Sequence, residues 1–255
     1  MLGEDNPELK YATEFARLAE QLHQEPREQP TLERIAGLAV ETIDACDYCG
    51  ISLRDRDGRI TTPASTSPIS SRADALQYEL AEGPCVDAIW QADTYLIDSL
   101  RTESRWPRWT PRAAELGIGS ILSVRLSGPN EQAVAALNLY SVEAHVFDHT
   151  DVAIASIYAR HASRALADAR TREGLETALE SRQMIGVAQG ILVQRFGLNL
   201  DQSFELLRRY SRDYNIKLRV LAENLVRNKG IRDDLDVADA VARSFDLAVD
   251  QPRES

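Results

Sequence analysis

Cys46-Asp47-Tyr48-Cys49 is a C-x-x-C pair, a spacing used by redox dithiols and by half of a structural zinc site. Such a zinc site needs two further ligands. Cys85, His23 and His161 qualify by type, but no spacing recruits them. Three cysteines do not make an even disulfide framework. The local pattern instead predicts that Cys46 closes a helix and that Cys49 enters a strand and is buried. The four histidines (His23, His145, His149 and His161) are scattered, and no Walker A, G-x-G-x-x-G or H-E-x-x-H run occurs. Acidic pairs are abundant, but none accompanies a nucleophile. No catalytic residue, metal site or cofactor is assigned, and no ligand-binding residue either.

The cations form a clearer pattern. The chain of 255 residues has a formal net charge of −11, yet residues 172–233 hold 11 basic and 8 acidic side chains. Residues 1–171 hold 16 basic and 26 acidic ones, and the tail 234–255 holds 2 and 6. A basic segment in an acidic chain suits a confined polyanion-binding surface, because the remainder repels nonspecific polyanions. The alternative is a solvated helix face. The segment carries Arg195, Arg208, Arg209, Arg212, Lys217, Arg219, Arg227 and Lys229, with Tyr210 and Tyr214 among them. Guanidinium forks bind phosphate in bidentate fashion or stack on a base. Unpaired RNA bases expose edges and faces to arginine and aromatic rings. Tyr210 also suits a helical core. The small residues Gly186, Ala188 and Gly190 allow close approach to a helix, by RNA or by a neighbouring helix.

The elements that must carry these residues follow from periodicity. Residues 7–24 have helical spacing, with Pro7 in a first turn. Glu25–Pro30 reads as a connector, and Thr31 as the cap of a second helix. Residues 49–66 then alternate as two strands turned at Asp57-Gly58. Residues 71–81 and 85–93 read as helices broken by Gly83-Pro84, and 94–100 as a strand. A loop and helix end at Gly117, a suitable C-cap. Residues 120–128 and 132–141 are two more strands, joined by a hairpin turn at 127–132. From about Asp151 to Phe196 a helical pattern runs far beyond the roughly 11–12 residues of an average helix, with Gly174 as its weak point. A second helix begins after a cap at Asn199 or Asp201 and ends at Asn215, with Leu206 and Leu207 facing inward. A third ends at Gly230.

Two resemblances follow. Glu82–Cys85 (EGPC), Arg105–Pro107 (RWP), the GIGSILSVRL run from Gly117, ALNLYS and Phe147-Asp148 occur in an order that resembles a GAF domain. Leu179, Arg182, Ile185, Ala188, Gly190, Ile191 and Leu192 resemble the first helix of an ANTAR domain. Asp201, Leu206, Leu207, Arg208 and Ser211 are similar to its second helix. Asn215, Lys217, Leu218, Val220–Ala222, Leu225 and Val226 are similar to its third. The chain departs from that pattern at Gln189, Val193 and Ser203, where the family usually has lysine, methionine and alanine.

The fold expected is α+β: an antiparallel-sheet GAF-like sensor, a long connecting helix and a three-helix ANTAR domain. The expected divisions are an N-terminal helix and connector (1–30), the sensor (31–171), the RNA-binding domain (172–233) and an acidic tail (234–255). The resemblance implies an RNA-binding antiterminator that recognises paired stem-loops, acts indirectly on RNA polymerase and is governed by a small-molecule GAF ligand. The implied RNA-binding residues are Arg182, Gln189, Gly190, Arg195, Arg208, Arg209, Arg212, Lys217 and Arg219. A homodimer paired through the long helix is expected from its apolar stripe. No apolar run nears the roughly 18 residues of a membrane span, and the acidic start lacks the marks of a secretory signal, so a cytoplasmic location is expected. The competing readings are a DNA-binding or protein-interaction regulator, and a cysteine-dependent methionine sulfoxide reductase of the GAF type.

Overall fold

A computed structural model describes residues 16–55, 57–91, 94–127 and 133–227. The chain divides into two compact units, Met1–Glu173 and Gly174–Ser255.

In the first unit, helix α1 runs through residues 16–22 of the described chain. Helix α2 spans Glu28–Thr42, with Arg27 as its N-cap residue. It therefore starts a turn before the expected cap. Thr31 is buried inside that turn, and its hydroxyl donates back to the Arg27 carbonyl at 2.7 Å. Pro30 is tolerated there because the first N–H groups of a helix have no intrahelical partner. The expected connector at Glu25–Pro30 is correspondingly shorter. The expected helix start near Pro7 lies outside the described residues.

Strands β1 (Tyr48–Arg54), β2 (Ile60–Ser65), β3 (Thr94–Ile97), β4 (Ser120–Ser127) and β5 (Ala133–Ser141) form one antiparallel sheet of order β2-β1-β5-β4-β3. The expected turn between β4 and β5 lies outside the described residues. Between β2 and β3 lie α3 (Pro68–Leu80) and α4 (Pro84–Trp90); α5 (Thr110–Glu115) follows β3. Ser67 caps α3 by accepting from the Ile69 N–H at 3.1 Å, and Gly117, with φ +84°, ends the α5 segment.

Period-two alternation divides the sheet into two faces. Cys49 and Ile51, Leu122 and Val124, and Leu137 and Leu139 pack in one core with α1, α2 and the first part of α6. Ile121 and Tyr140 pack with α3 and α5, and Ala136 with α4. Helix α6 runs unbroken from His149 to Phe196, passing through Gly174. Asp148 starts it by accepting from the N–H groups of Thr150 and Asp151 at 2.6 and 2.9 Å.

The second unit contains the remainder of α6, α7 (Leu200–Asp213) and α8 (Leu218–Arg227). Asn199 is the cap of α7, in a reciprocal capping box with Gln202. Ala188 and Leu192 of α6, Leu198, Leu206 and Leu207, and Ala222 and Leu225 of α8 form its core. Asn215 turns the chain after α7 in the left-handed conformation, φ +51°. The expected end of α8 at Gly230 lies outside the described residues.

Candidate functional site

The second unit carries most of the cations of the basic segment 172–233. Arg208 and Arg212, one helical turn apart on α7, are both exposed, as are Arg182, Arg195, Arg209, Lys217 and Arg219. Arg208 lies 3.5 Å from Glu205, Arg209 is 3.7 Å from Asp213, and Arg219 is 2.9 Å from Glu223. These are solvent-exposed pairs within single helices, which add little to stability and open readily to a polyanion. Arg195 holds its guanidinium 5.9 Å from the Phe196 ring centre.

Gln189 is used inside the unit. Its amide nitrogen donates to the Leu200 carbonyl at 3.0 Å and to the Ser203 hydroxyl at 3.4 Å. Two of the three departures from the ANTAR pattern thus contact one another and tie α6 to the start of α7. Gly186 and Gly190 are exposed, and a Cβ added to either meets nothing within 4 Å. Among the described residues no helix packs on Gly186, so packing among them does not account for that glycine. Tyr210 is half-buried and stacks on Tyr214.

The first unit holds a cluster that sequence reasoning did not single out. Asp74 of α3 is fully buried against the sheet. Its Oδ1 accepts from the Tyr140 hydroxyl and from the Asn138 amide, the latter at 2.8 Å; its Oδ2 accepts from Thr62 at 3.1 Å. Asn138 also donates to Ser52 at 2.8 Å and accepts from Ser123 at 3.0 Å. The Tyr78 hydroxyl donates to Ser52 at 2.6 Å, and Gln77 donates to Tyr140 at 3.3 Å. Burial pushes the Asp74 carboxyl up to about 7, against the lowering effect of its three donors. Burial also pushes Tyr78 and Tyr140 above the ordinary phenol range.

The EGPC and RWP runs frame this cluster. Glu82 accepts from the N–H groups of Arg108 and Trp109 at 2.7 and 3.1 Å. Gly83 adopts φ +147°, and a Cβ there would lie 2.2 Å from Gln77 Oε1. That same oxygen accepts from the Cys85 N–H at 2.8 Å. Trp106 donates its indole N–H to Asp87 at 2.9 Å, and Arg105 lies 4.6 Å from the Trp106 ring centre. These strings therefore build the helical cover of the sheet.

All three cysteines are free and buried. Cys46 lies in the turn after α2 rather than at the helix end, and Cys49 is in β1. Burial pushes the Cys46 thiol up to about 12 and raises Cys49 and Cys85 well above the ordinary thiol value. The thiolate is the nucleophile and the metal ligand, so these environments hold the sulfurs in their unreactive form. Among the described residues no group of His, Cys, Asp and Glu is placed to hold a metal ion, and no helix is long and apolar enough to cross a membrane.

Residues 27–167 match the GAF domain family and residues 173–226 match the ANTAR domain family. No curated protein matches the chain. Among solved structures, the chain is similar to a bacteriophytochrome from the photosynthetic bacterium R. palustris (9% identity, 81% of this chain, 48% of that one, TM-score 0.56). It thus spans about half the length of that protein. It is also similar to the GAF domain of a phosphoenolpyruvate-protein phosphotransferase from Coxiella burnetii (14%, 66% and 99%, TM-score 0.52). A third is a free methionine-R-sulfoxide reductase from Neisseria meningitidis in complex with its substrate (14%, 67% and 96%, TM-score 0.51). At these identities the likeness is one of fold. The chain belongs to the GAF domain family and carries an ANTAR domain after its GAF domain. That pairing is the architecture of an RNA-binding antitermination regulator with a GAF sensor.

Proposed function

We propose that this protein binds paired stem-loops in nascent RNA through its second unit and thereby keeps RNA polymerase from terminating. The reading rests on one observation: Arg208 and Arg212 stand on the exposed side of α7, opposite the buried Leu206 and Leu207, inside the ANTAR match. Arg182, Gln189, Gly190, Arg195, Arg209, Lys217 and Arg219 extend the surface, with Gln189 acting chiefly through its tie to α7. The protein is a cytoplasmic regulator without catalytic activity of its own. On this reading residues 31–171 are the sensor and 172–233 the RNA-binding domain, flanked by residues 1–30 and the acidic tail 234–255.

Pairing of two copies through α6 gives each RNA two binding units. It is supported by Leu175 and Leu179, which lie one turn apart and are 62% and 65% exposed. The sensor responds to a small molecule or partner that alters the GAF core, and such a ligand acts only through its differential affinity for two states. The raised thiols weigh against sulfoxide reduction.

The deciding experiment compares two-hairpin RNA with duplex DNA in one binding assay using the whole protein. RNA binding that weakens with salt is expected. Equal affinity for the two nucleic acids would overturn the reading.

A further inference from the structure

Tyr214 is 60% exposed, an unusual position for a large aromatic ring at a helix end. It does not hang free. Its ring stacks on Tyr210 with centres 4.3 Å apart and planes inclined by 24°. The backbone beneath it is fixed on both sides. The Tyr214 N–H donates to the Tyr210 carbonyl at 3.1 Å, and the Ile216 N–H to that of Ser211 at 2.9 Å. The Ser211 hydroxyl closes the turn by donating to the Ile216 carbonyl at 2.6 Å. One face of the Tyr214 ring is thus covered by Tyr210, while most of the side chain remains open to solvent.

The charges beside it indicate what that face accepts. Arg212 and Lys217 flank Tyr214 in the chain, and both are exposed. The intervening carboxylate, Asp213, is engaged by Arg209. An exposed π-surface with cations two and three residues away in the chain suits an unpaired nucleobase with its phosphates, because any base can stack while cations hold the backbone. Base pairs within a duplex offer no such free face, so the geometry selects single-stranded or looped RNA. Holding the ring in place beforehand reduces the ordering cost of binding.

We infer that Tyr214, backed by Tyr210, is a stacking platform for an unpaired base of the bound RNA. This rests on the RNA-binding reading above and adds a residue to it that acts through its ring rather than through charge.

The test irradiates the full-length protein with total cellular RNA at a crosslinking wavelength and maps nucleotide adducts by mass spectrometry. An adduct on the tryptic peptide Asp213–Lys217 is expected. Adducts elsewhere in residues 182–219 but none on this peptide would overturn the inference and leave the RNA reading standing. Absence of adducts throughout the second unit would count against the RNA reading itself. With the RNA recovered from the crosslink as probe, Tyr214→Leu should bind roughly 5- to 150-fold more weakly at an unchanged salt slope, and Tyr214→Phe should retain affinity. Circular dichroism confirms the fold of each variant. If Tyr214→Leu instead alters sedimentation while RNA affinity stays the same, the ring contacts protein and the inference is wrong.

Discussion

Asp74 and Tyr140 stand 66 positions apart in the chain, yet the Tyr140 hydroxyl donates directly to the Asp74 carboxyl in a space closed to solvent. The groups in contact with that carboxyl (Tyr140, Asn138 and Thr62) are all uncharged hydroxyls and an amide. They stabilise the anion only in part, and burial dominates.

The consequence is a pH dependence of opposite sign to that of an ion-paired carboxylate. The folded chain holds the Asp74 proton up to about pH 7, whereas the ordinary value is 3.8. Stability from this group is full below the ordinary value and is lost as pH rises through 7. Glu103 and Asp148 are lowered, so their contributions change at more acidic pH. Thermal melts between pH 5 and 8 should show the wild type losing stability, by an amount on the order of a few kcal/mol. Asp74→Asn should flatten that slope. A wild type equally stable across this range would show that the carboxyl titrates elsewhere.

Gly50 lies beside the same carboxyl. A Cβ at this position would come 2.3 Å from Asp74 Oδ2, whose carboxyl is held by three donors and has little room to swing. Gly50→Ala should cost about 1–3 kcal/mol by overpacking. Gly37 in α2 has nothing within 4 Å of an added Cβ, and Gly37→Ala should stabilise by roughly 0.5–1 kcal/mol. Denaturant titration of the pair checks both signs.

Gln189 separates structure from recognition. Gln189→Leu removes the donors to Leu200 and Ser203 and should lower stability by about 0.5–1.5 kcal/mol. The Leu200 carbonyl keeps the Ser203 hydroxyl as a donor at 2.8 Å, which limits the loss. Gln189→Lys should steepen the salt dependence of RNA binding by about one unit. An unchanged slope would place the phosphates away from this residue.

Charge reversal should rank the arginines. Arg212→Glu and Arg208→Glu should weaken RNA binding, with circular dichroism unchanged because both side chains are exposed. Arg208→Glu also sets two carboxylates side by side with Glu205, so its melting temperature should fall slightly more. Unaltered affinity in both variants would put the RNA on another face.

Gly174 sits within α6, where an added Cβ meets nothing within 4 Å. Gly174→Ala should stabilise the helix by about 1 kcal/mol. Full-length protein and variant, compared for RNA affinity with and without a sensor ligand, should differ in their response. Identical behaviour would make this position a passive spacer.

Much of this arrangement is legible from periodicity. Leu206 and Leu207 announce the inner side of α7 and, by exclusion, the outer position of Arg208 and Arg212. The strands are equally plain from alternation. Alternation also misleads, because Ser52, Ser123 and Asn138 occupy the phase that a half-buried strand gives to solvent. Helices α3 and α4 cover that face, and only long-range pairing shows that these polar groups meet Asp74. Gly50 was the available signal: a glycine within a strand marks a close approach. Thr31 suits a cap by residue type, yet it lies inside a helix that begins at Glu28 and runs through Pro30. Gly186, exposed and without a close neighbour among the described residues, shows that a small residue on a helix does not by itself require one.

Every residue from Gly174 to Glu180 is exposed within its own chain, although all seven are helical. A helical segment with so little burial is held mainly by its backbone ladder, and its amides open at far lower free energy than those of a packed core. Deuterium uptake at these seven positions therefore tests the proposed pairing. A second chain laid along Leu175 and Leu179 would slow the uptake in proportion to occupancy, at protein concentrations that leave the buried Leu137 and Leu139 amides unaffected.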